Sequence, residues 1–256
     1  MKWCFCTLAF RNDALENVIT RAAALGFDEL EVFYGQVVDK TAEELTELRV
    51  LAEEKGISIS GVAPYFWFTQ NAELLDETFS IARRSIEINR ALGGRMIRTF
   101  TDSGPTGIGS AVASSQQWDT AVKGLQTLLD EAPDLEFSVE THEKTLADTL
   151  ASTLDLFDRV DRPNLKVTYQ PYNDGNMVED YRALRERVVQ VHLNPVLGTS
   201  GKPYDLPACS LDYPALIRAL SEDNYTGDCA LEFCKPGVDW ETVSDALAWA
   251  KAQASS

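Results

Sequence analysis

The sequence predicts an α/β fold of the (β/α)8 class, a TIM barrel. Three observations carry that expectation. Eight short apolar runs with β-branched and aromatic residues recur along the chain, a long amphipathic stretch follows each of them, and 256 residues is an ordinary length for one such barrel. A doubly wound sheet has fewer strands, so the count favours the barrel.

The expected strands are Trp3 to Phe10, Glu29 to Tyr34, Ile57 to Ala63, Met96 to Thr101, Leu135 to Thr141, Leu165 to Tyr169, Val188 to Leu193 and Ala230 to Cys234. Helix signals stand between them. Thr41 and Glu44 make a capping box at the head of Thr41 to Lys55, and Gly56 stops that helix. Ala72 to Leu92 carries an apolar stripe of Leu74, Leu75, Phe79, Ile81, Ile86 and Ile88 and ends at Gly93-Gly94. Further helical patterns run Gln116 to Ala132, Leu146 to Val160, Met177 to Arg187, Tyr213 to Ser221 and Trp240 to Ala252. No linker, repeat or composition break divides the chain, so residues 1–256 read as a single domain.

Composition excludes some partners. A net charge of −17 argues against nucleic acid and anionic membrane, because phosphate binding needs clustered Lys and Arg. Small uncharged substrates are compatible with it, and a homo-oligomer is left open. The cysteines, Cys4, Cys6, Cys209, Cys229 and Cys234, are odd in number and form neither a disulfide framework nor a metal-binding CxxC pair. A reducing cytoplasmic compartment is expected. Trp3 to Phe10 is followed at once by Arg11-Asn12-Asp13, which suits a first strand and not a signal peptide. No apolar stretch approaches the ~18 residues of a membrane span.

In a barrel of this class the working face lies at the carboxyl ends of the strands. The only two histidines, His142 and His192, both fall there, and Glu140 and Glu232 stand in similar positions. Carboxylates and imidazoles converging from several strands form the polar pocket that a metal ion needs. Each residue also has a plainer reading, since a buried strand-end Glu can pair with Arg or cap a helix. Alternation puts His142 on the face of Glu140, as a substrate contact or a hydrogen bond in the wall. Arg98 reads as a substrate contact or as an internal partner for Glu140 or Glu31. Tyr65, Phe66, Trp67 and Phe68 could cover the apolar face of a sugar, with Tyr65 the nearest candidate, or plug the core. The loops 102–115 and 194–210 resemble lids. Lys202 reads as surface charge, and Gly107-x-Gly109 lacks the context of a phosphate loop.

Four landmarks together resemble the xylose isomerase-like superfamily of TIM barrels, a group of sugar isomerases, epimerases, inosose dehydratases and related enzymes. They are Leu30-Glu31-Val32-Phe33, Val139-Glu140-Thr141-His142, Val191-His192-Leu193-Asn194, and the closing stretch Leu211-Asp212-Tyr213-Pro214 through Asn224-Tyr225-Thr226-Gly227 to Leu231-Glu232-Phe233. The resemblance implies one divalent cation held by Glu140, His192 and Glu232. At the strand-six position, where the family usually has Asp and then His three residues later, this chain has Gln170 and Asn173. Gln170 is then a neutral fourth ligand, which lowers the site's negative charge by one, or a hydrogen-bond partner of substrate, and Asn173 is left to contact substrate. The three-metal site of the related apurinic endonucleases is incompatible with two histidines.

What the resemblance implies is an enzyme of carbohydrate metabolism. The expected cofactor is one Mn2+ or Mg2+, with Co2+ or Zn2+ as alternatives. Glu140 and Glu232 would remove and return a proton next to the carbonyl of a keto-sugar or related polyol, in an isomerase or epimerase. The alternatives are a lyase or dehydratase on a keto-cyclitol or keto-glycoside, and a sugar-binding barrel without catalysis.

Overall fold

The computed structural model describes residues 1–102, 107–172, 175–195, 205–234 and 237–255. Eight parallel strands close into a barrel in chain order: β1 (Lys2–Cys6), β2 (Glu29–Phe33), β3 (Ser58–Ala63), β4 (Met96–Thr99), β5 (Glu136–Glu140), β6 (Leu165–Tyr169), β7 (Val188–Leu193) and β8 (Asp228–Leu231). A helix follows each strand: α1 (Leu15–Leu25), α2 (Ala42–Lys55), α3 (Ala72–Leu92), α4 (Ser115–Glu131), α5 (Leu150–Val160), α6 (Met177–Leu184), α7 (Tyr213–Glu222) and α8 (Trp240–Ala254). This is the (β/α)8 barrel that the alternation predicts.

Several boundaries differ from expectation, each for a local reason. The first strand stops at Cys6, and Thr7–Phe10 forms a 3-10 turn. The Thr7 hydroxyl donates to Gln36 Oε1 at 2.6 Å and accepts the Phe33 N–H at 2.8 Å, which draws the chain out of the sheet. The fifth helix begins at Leu150, not Leu146, because the Thr149 side chain accepts the Ser152 N–H and caps it there. The last strand covers Asp228–Leu231, so Glu232 lies one residue beyond its end. Where the sequence predicts a capping box the structure has one: Thr41 Oγ1 accepts from Glu44, Glu44 accepts from the Thr41 N–H, and Gly56 closes α2 at φ +74°.

The chain packs as two compact units, Met1–Ser60 with Gln190–Ser256, and Gly61–Val189. In the first, β1 lies between β8 and β2, with Cys4 opposite both Ala230 and Glu29 and Cys6 opposite Glu31, and β7 pairs with β8, His192 opposite Ala230. Its core includes Phe5, Ile19, Leu30, Val32, Val191 and Leu231, all fully buried. In the second, β4 lies between β3 and β5, with Arg98 opposite Ser138, and β5 pairs with β6, Glu140 opposite Thr168. Ile97, Leu125, Leu128, Phe137, Leu156 and Val167 are fully buried there. Removing each such side chain from water stabilises by about 1.5 to 3 kcal/mol.

The aromatic run after β3 is split by burial. Phe66 and Phe68 are core, whereas Tyr65 and Trp67 are half-buried. The Phe68 ring sits so close to α4 that a Cβ on Gly124 would meet it at 2.5 Å, which explains a glycine in mid-helix. Among the described residues no helix is long and apolar enough to cross a membrane.

Candidate active site

In the first unit, period-two alternation along β7 puts Gln190 and His192 on one face and Val191 and Leu193 on the other. Both polar side chains are completely buried. His192 Nε2 lies 3.2 Å from Glu31 Oε2 and 3.1 Å from Gln190 Oε1, while Nδ1 lies 3.3 Å from Glu232 Oε2. The second oxygen of Glu31 accepts the Cys6 thiol at 3.1 Å. Glu232 Oε2 also accepts from Asn194 Nδ2 at 2.9 Å, and the same amide reaches Cys234 Sγ at 3.4 Å. The Tyr213 hydroxyl fixes Asn194 by accepting its N–H at 2.9 Å and donating to its carbonyl at 3.0 Å. Complete burial pushes the Tyr213 phenol up, so it stays protonated for that second bond.

In the second unit Glu140 ends β5 and is buried with Arg98 of the adjacent β4. Arg98 Nη1 is 3.1 Å from Glu140 Oε2, with side-chain exposures of only 2% and 1%. The Arg98 guanidinium lies over the Phe100 ring, 5.4 Å from its centroid. Tyr65 stacks on that ring at 5.6 Å and 8°, and His142 meets it edge-on at 5.2 Å and 67°. Tyr65, Arg98 and His142 are thus joined through a phenylalanine that sequence reading did not single out. The ion-pair role of Arg98 with Glu140 is the one that the geometry favours.

His142 does not continue the alternation of Glu140. The strand stops at Glu140, the His142 N–H donates to the Ala147 carbonyl at 3.2 Å, and Nδ1 lies 2.8 Å from the Glu143 carbonyl. The chain turns because Thr141 is claimed by β6: its hydroxyl donates to the Gln170 carbonyl at 2.5 Å and accepts the Gln170 N–H at 2.8 Å. Those bonds hold the backbone of Gln170, whose side chain is buried at 6% exposure. Close by in sequence to β4, Asp102 is fully buried and accepts a hydrogen bond from Gln70 Nε2 at 3.2 Å. Burial pushes its carboxyl up to about 6. Asn173, Lys202, residues 103–106 of the first lid loop and residues 196–204 of the second lie outside the described residues.

One ligand atom from each of Glu140, His192 and Glu232 lies within 4.8 Å of the others, and all three residues are buried. Two carboxylates brought this close away from water repel each other; Arg98 offsets part of that charge at Glu140, and a divalent cation would offset the rest. Two carboxylate oxygens and one imidazole nitrogen form a donor set suited to hard or borderline ions such as Mg2+ and Mn2+. The residues present therefore fit a metal.

A family model described as xylose isomerase-like TIM barrel matches residues 19–253. The chain belongs to this family. Among curated xylose isomerase-like relatives, a 3-dehydroshikimate dehydratase of Bacillus anthracis is 25% identical over 211 residues, covering 77% of this chain and 72% of that protein. A D-psicose 3-epimerase of Enterocloster bolteae is 24% identical over 246 residues, covering 85% and 76%. Of solved structures, a D-psicose 3-epimerase with D-tagatose from Clostridium cellulolyticum H10 superposes with a TM-score of 0.82 at 15% identity, covering 99% of each chain. A probable dehydratase from Bacillus anthracis gives 0.80 at 22% identity, over 97% of this chain and 98% of that one. Those two likenesses speak for the fold. The curated relatives in this family are enzymes, an epimerase and a dehydratase.

Sequence reading left three residues of the site without a role. Gln190 was legible as a polar residue two positions before His192 in an otherwise apolar strand. Asn194 stood in the same motif as His192, but its bond to Glu232 spans 38 residues of chain and has no local signal. Cys6 lay in the first expected strand and meets Glu31 through the β1–β2 register.

Proposed function

We propose that residues 1–256 form one metal-dependent catalytic domain that epimerises or isomerises a keto-sugar or related polyol. The observation that carries this reading is the convergence of two buried glutamates, Glu140 and Glu232, beside His192. Glu140, His192 and Glu232 would hold one Mn2+ or Mg2+, with the Gln170 side-chain carbonyl as neutral fourth donor. When bound, the ion polarises the substrate carbonyl and lowers the cost of removing a proton from the adjacent carbon.

The chain's own residues do the rest. One glutamate takes the proton from the carbon next to the carbonyl, and the C–H electron pair moves toward the carbonyl oxygen. The other glutamate starts protonated and gives its proton to that carbon from the opposite face, which inverts it, or to the carbonyl carbon while the neighbouring hydroxyl's proton passes to the original carbonyl oxygen, which moves the carbonyl. Arg98 keeps Glu140 in one orientation, and Asn194 does the same for Glu232. Tyr65, Phe100 and His142 offer a half-buried wall against which a sugar ring can rest, its hydroxyls reaching the free ring nitrogen of His142.

A second reading is a dehydratase, favoured by the 25% identity to the 3-dehydroshikimate dehydratase. The first step is the same; the β-hydroxyl then leaves as water, carrying a proton from a glutamic acid, and a C=C bond forms. One experiment separates the readings. Mn2+-reconstituted protein is incubated in heavy water with a panel of ketoses, keto-glycosides and 3-dehydroshikimate. Deuterium next to the carbonyl with a new epimer or isomer supports the first reading, and an unsaturated product the second. Absence of both across the panel, with no metal retained, would favour a sugar-binding barrel without catalysis.

A further inference from the structure

We infer that Glu31 is a positioning residue, itself anchored by Cys6, that accepts a hydrogen bond from His192 Nε2–H and so presents the ring's Nδ1 lone pair on the Glu232 side. The inference rests on the metal reading above and concerns how the protein prepares its only strand-borne imidazole ligand. Both atoms beside Nε2, Glu31 Oε2 at 3.2 Å and Gln190 Oε1 at 3.1 Å, are hydrogen-bond acceptors. A neutral imidazole has one N–H, and these two oxygens draw it to Nε2. Nδ1 then carries a lone pair 3.3 Å from a Glu232 carboxylate oxygen. Two electron pairs facing each other at that distance repel, and the arrangement becomes favourable when a cation shares them.

The anchoring is built into the sheet. Cys6 and Glu31 are opposite each other in the β1–β2 register, and the Cys6 thiol donates to Glu31 Oε1 at 3.1 Å. That bond occupies the oxygen that His192 does not use, so the carboxylate cannot rotate away without losing a buried hydrogen bond. A carboxylate behind a metal-bound imidazole also raises the basicity of the ligating nitrogen. Cys6 and Glu31 therefore act through His192 and touch no reacting atom.

Two histidines in the whole chain make the test clean. Long-range 15N–1H NMR reads the protonated nitrogen of each ring. His142 is the internal reference: its Nδ1 faces the Glu143 carbonyl, which only accepts, so its neutral ring carries Nδ1–H. His192 is expected to show the opposite tautomer, Nε2–H, both in Mg2+-loaded protein and in metal-free protein above the ordinary histidine range. Nδ1–H at His192 overturns the inference.

Mn2+ titration calorimetry supplies the second readout. Glu31→Gln should loosen Mn2+ by about 10- to 100-fold. Cys6→Ala should loosen it by less, and Cys6→Ser, which keeps a donor, should restore the wild-type value. Wild-type affinity in Glu31→Gln, or a serine variant no better than alanine, also overturns the inference. If wild-type protein binds neither Mn2+ nor Mg2+, the metal reading fails, and the tautomer in metal-free protein still decides the Glu31 contact on its own.

Discussion

Glu140 and Glu232 are the same side chain at the ends of two strands, yet the protein holds them in opposite ways. Glu140 is tied to a full positive charge, the Arg98 guanidinium, inside the sheet of its own unit. Glu232 is tied to an amide, Asn194, and to a histidine whose charge is variable. The amide is in turn gripped by the Tyr213 hydroxyl, so a chain of neutral hydrogen bonds reaches Glu232 where a buried ion pair reaches Glu140. Equal chemistry in unequal tethers suggests that removing either carboxylate stops the reaction, whereas removing the tethers has unequal consequences.

The largest effect expected is on turnover. Glu140→Gln and Glu232→Gln should each lower kcat by about 10²- to 10⁴-fold, because on the proposed reading each removes a proton-transferring carboxylate while keeping the shape of the side chain. Heavy-water exchange into substrate should fall with it. A variant that keeps more than about a tenth of wild-type rate does not lack its base, and the symmetry between the two glutamates would be broken there.

The tethers separate the two sides. Arg98→Met should destabilise the fold by about 3 to 5 kcal/mol in chemical denaturation, since it leaves a fully buried carboxylate without its cation. Asn194→Leu removes one hydrogen bond to a charged group, worth about 1.5 to 3 kcal/mol, and should cost less. Equal losses would mean that Glu140 gains little from its ion pair. The two methyl-rich replacements are similar in size to the originals, so cavity formation contributes little to either value.

Asp102 sharpens the same contrast, as a buried carboxylate in the Glu140 unit that accepts from the neutral amide of Gln70. Its carboxyl is raised from 3.8 to about 6 by burial, so the proton is held more tightly in the folded state than in the unfolded chain. Its contribution is thus full below about pH 4 and is lost as pH rises to about 6, a change of at most about 3 kcal/mol. Asp102→Asn should remove that slope. Denaturation at pH 4 and pH 7 checks it: the stability difference between variant and wild type should shift in favour of the variant at the higher pH, and a constant difference would show that Asp102 does not titrate in this window.

How much of this was legible beforehand follows the range of each interaction. Helix caps such as Thr41 with Glu44 are local and were read correctly from four residues. The strand alternation gave His192 and the closed barrel because buried parallel strands and amphipathic helices have different periods. Boundaries failed where a hydrogen bond from a distant segment intervened, as the Gln36 side chain does at Thr7 and the Gln170 backbone does at Thr141. The same reason hid two of the tethers: Cys6 with Glu31 and Asn194 with Glu232 are register contacts, and register is set by the whole sheet, whereas an ion pair of Arg98 with Glu140 was legible as one of its two readings. Phe100 was missed because nothing in Thr99-Phe100-Thr101 distinguishes a ring in a site wall from one in the core.

The smallest effect concerns Gln170, where this chain has an amide in the position that the resemblance gives to a carboxylate. Its backbone is locked to Thr141 on both sides, so a substitution changes the side chain's charge with little freedom to move the main chain. If the amide oxygen is a ligand, Gln170→Asp adds one negative charge directly on the ion and should tighten Mn2+ by about tenfold, or 1.4 kcal/mol. Aspartate is one methylene shorter, which offsets part of that gain, and Gln170→Glu keeps the length. Activity should fall in both even as affinity rises, because a more anionic ligand set withdraws less electron density from the substrate carbonyl. Calorimetric titration of stripped wild type and both variants decides it. Unchanged affinity in both would leave Gln170 as a substrate or wall contact and reduce the metal site to Glu140, His192 and Glu232, the arrangement in which the unequal tethers of the two glutamates matter most.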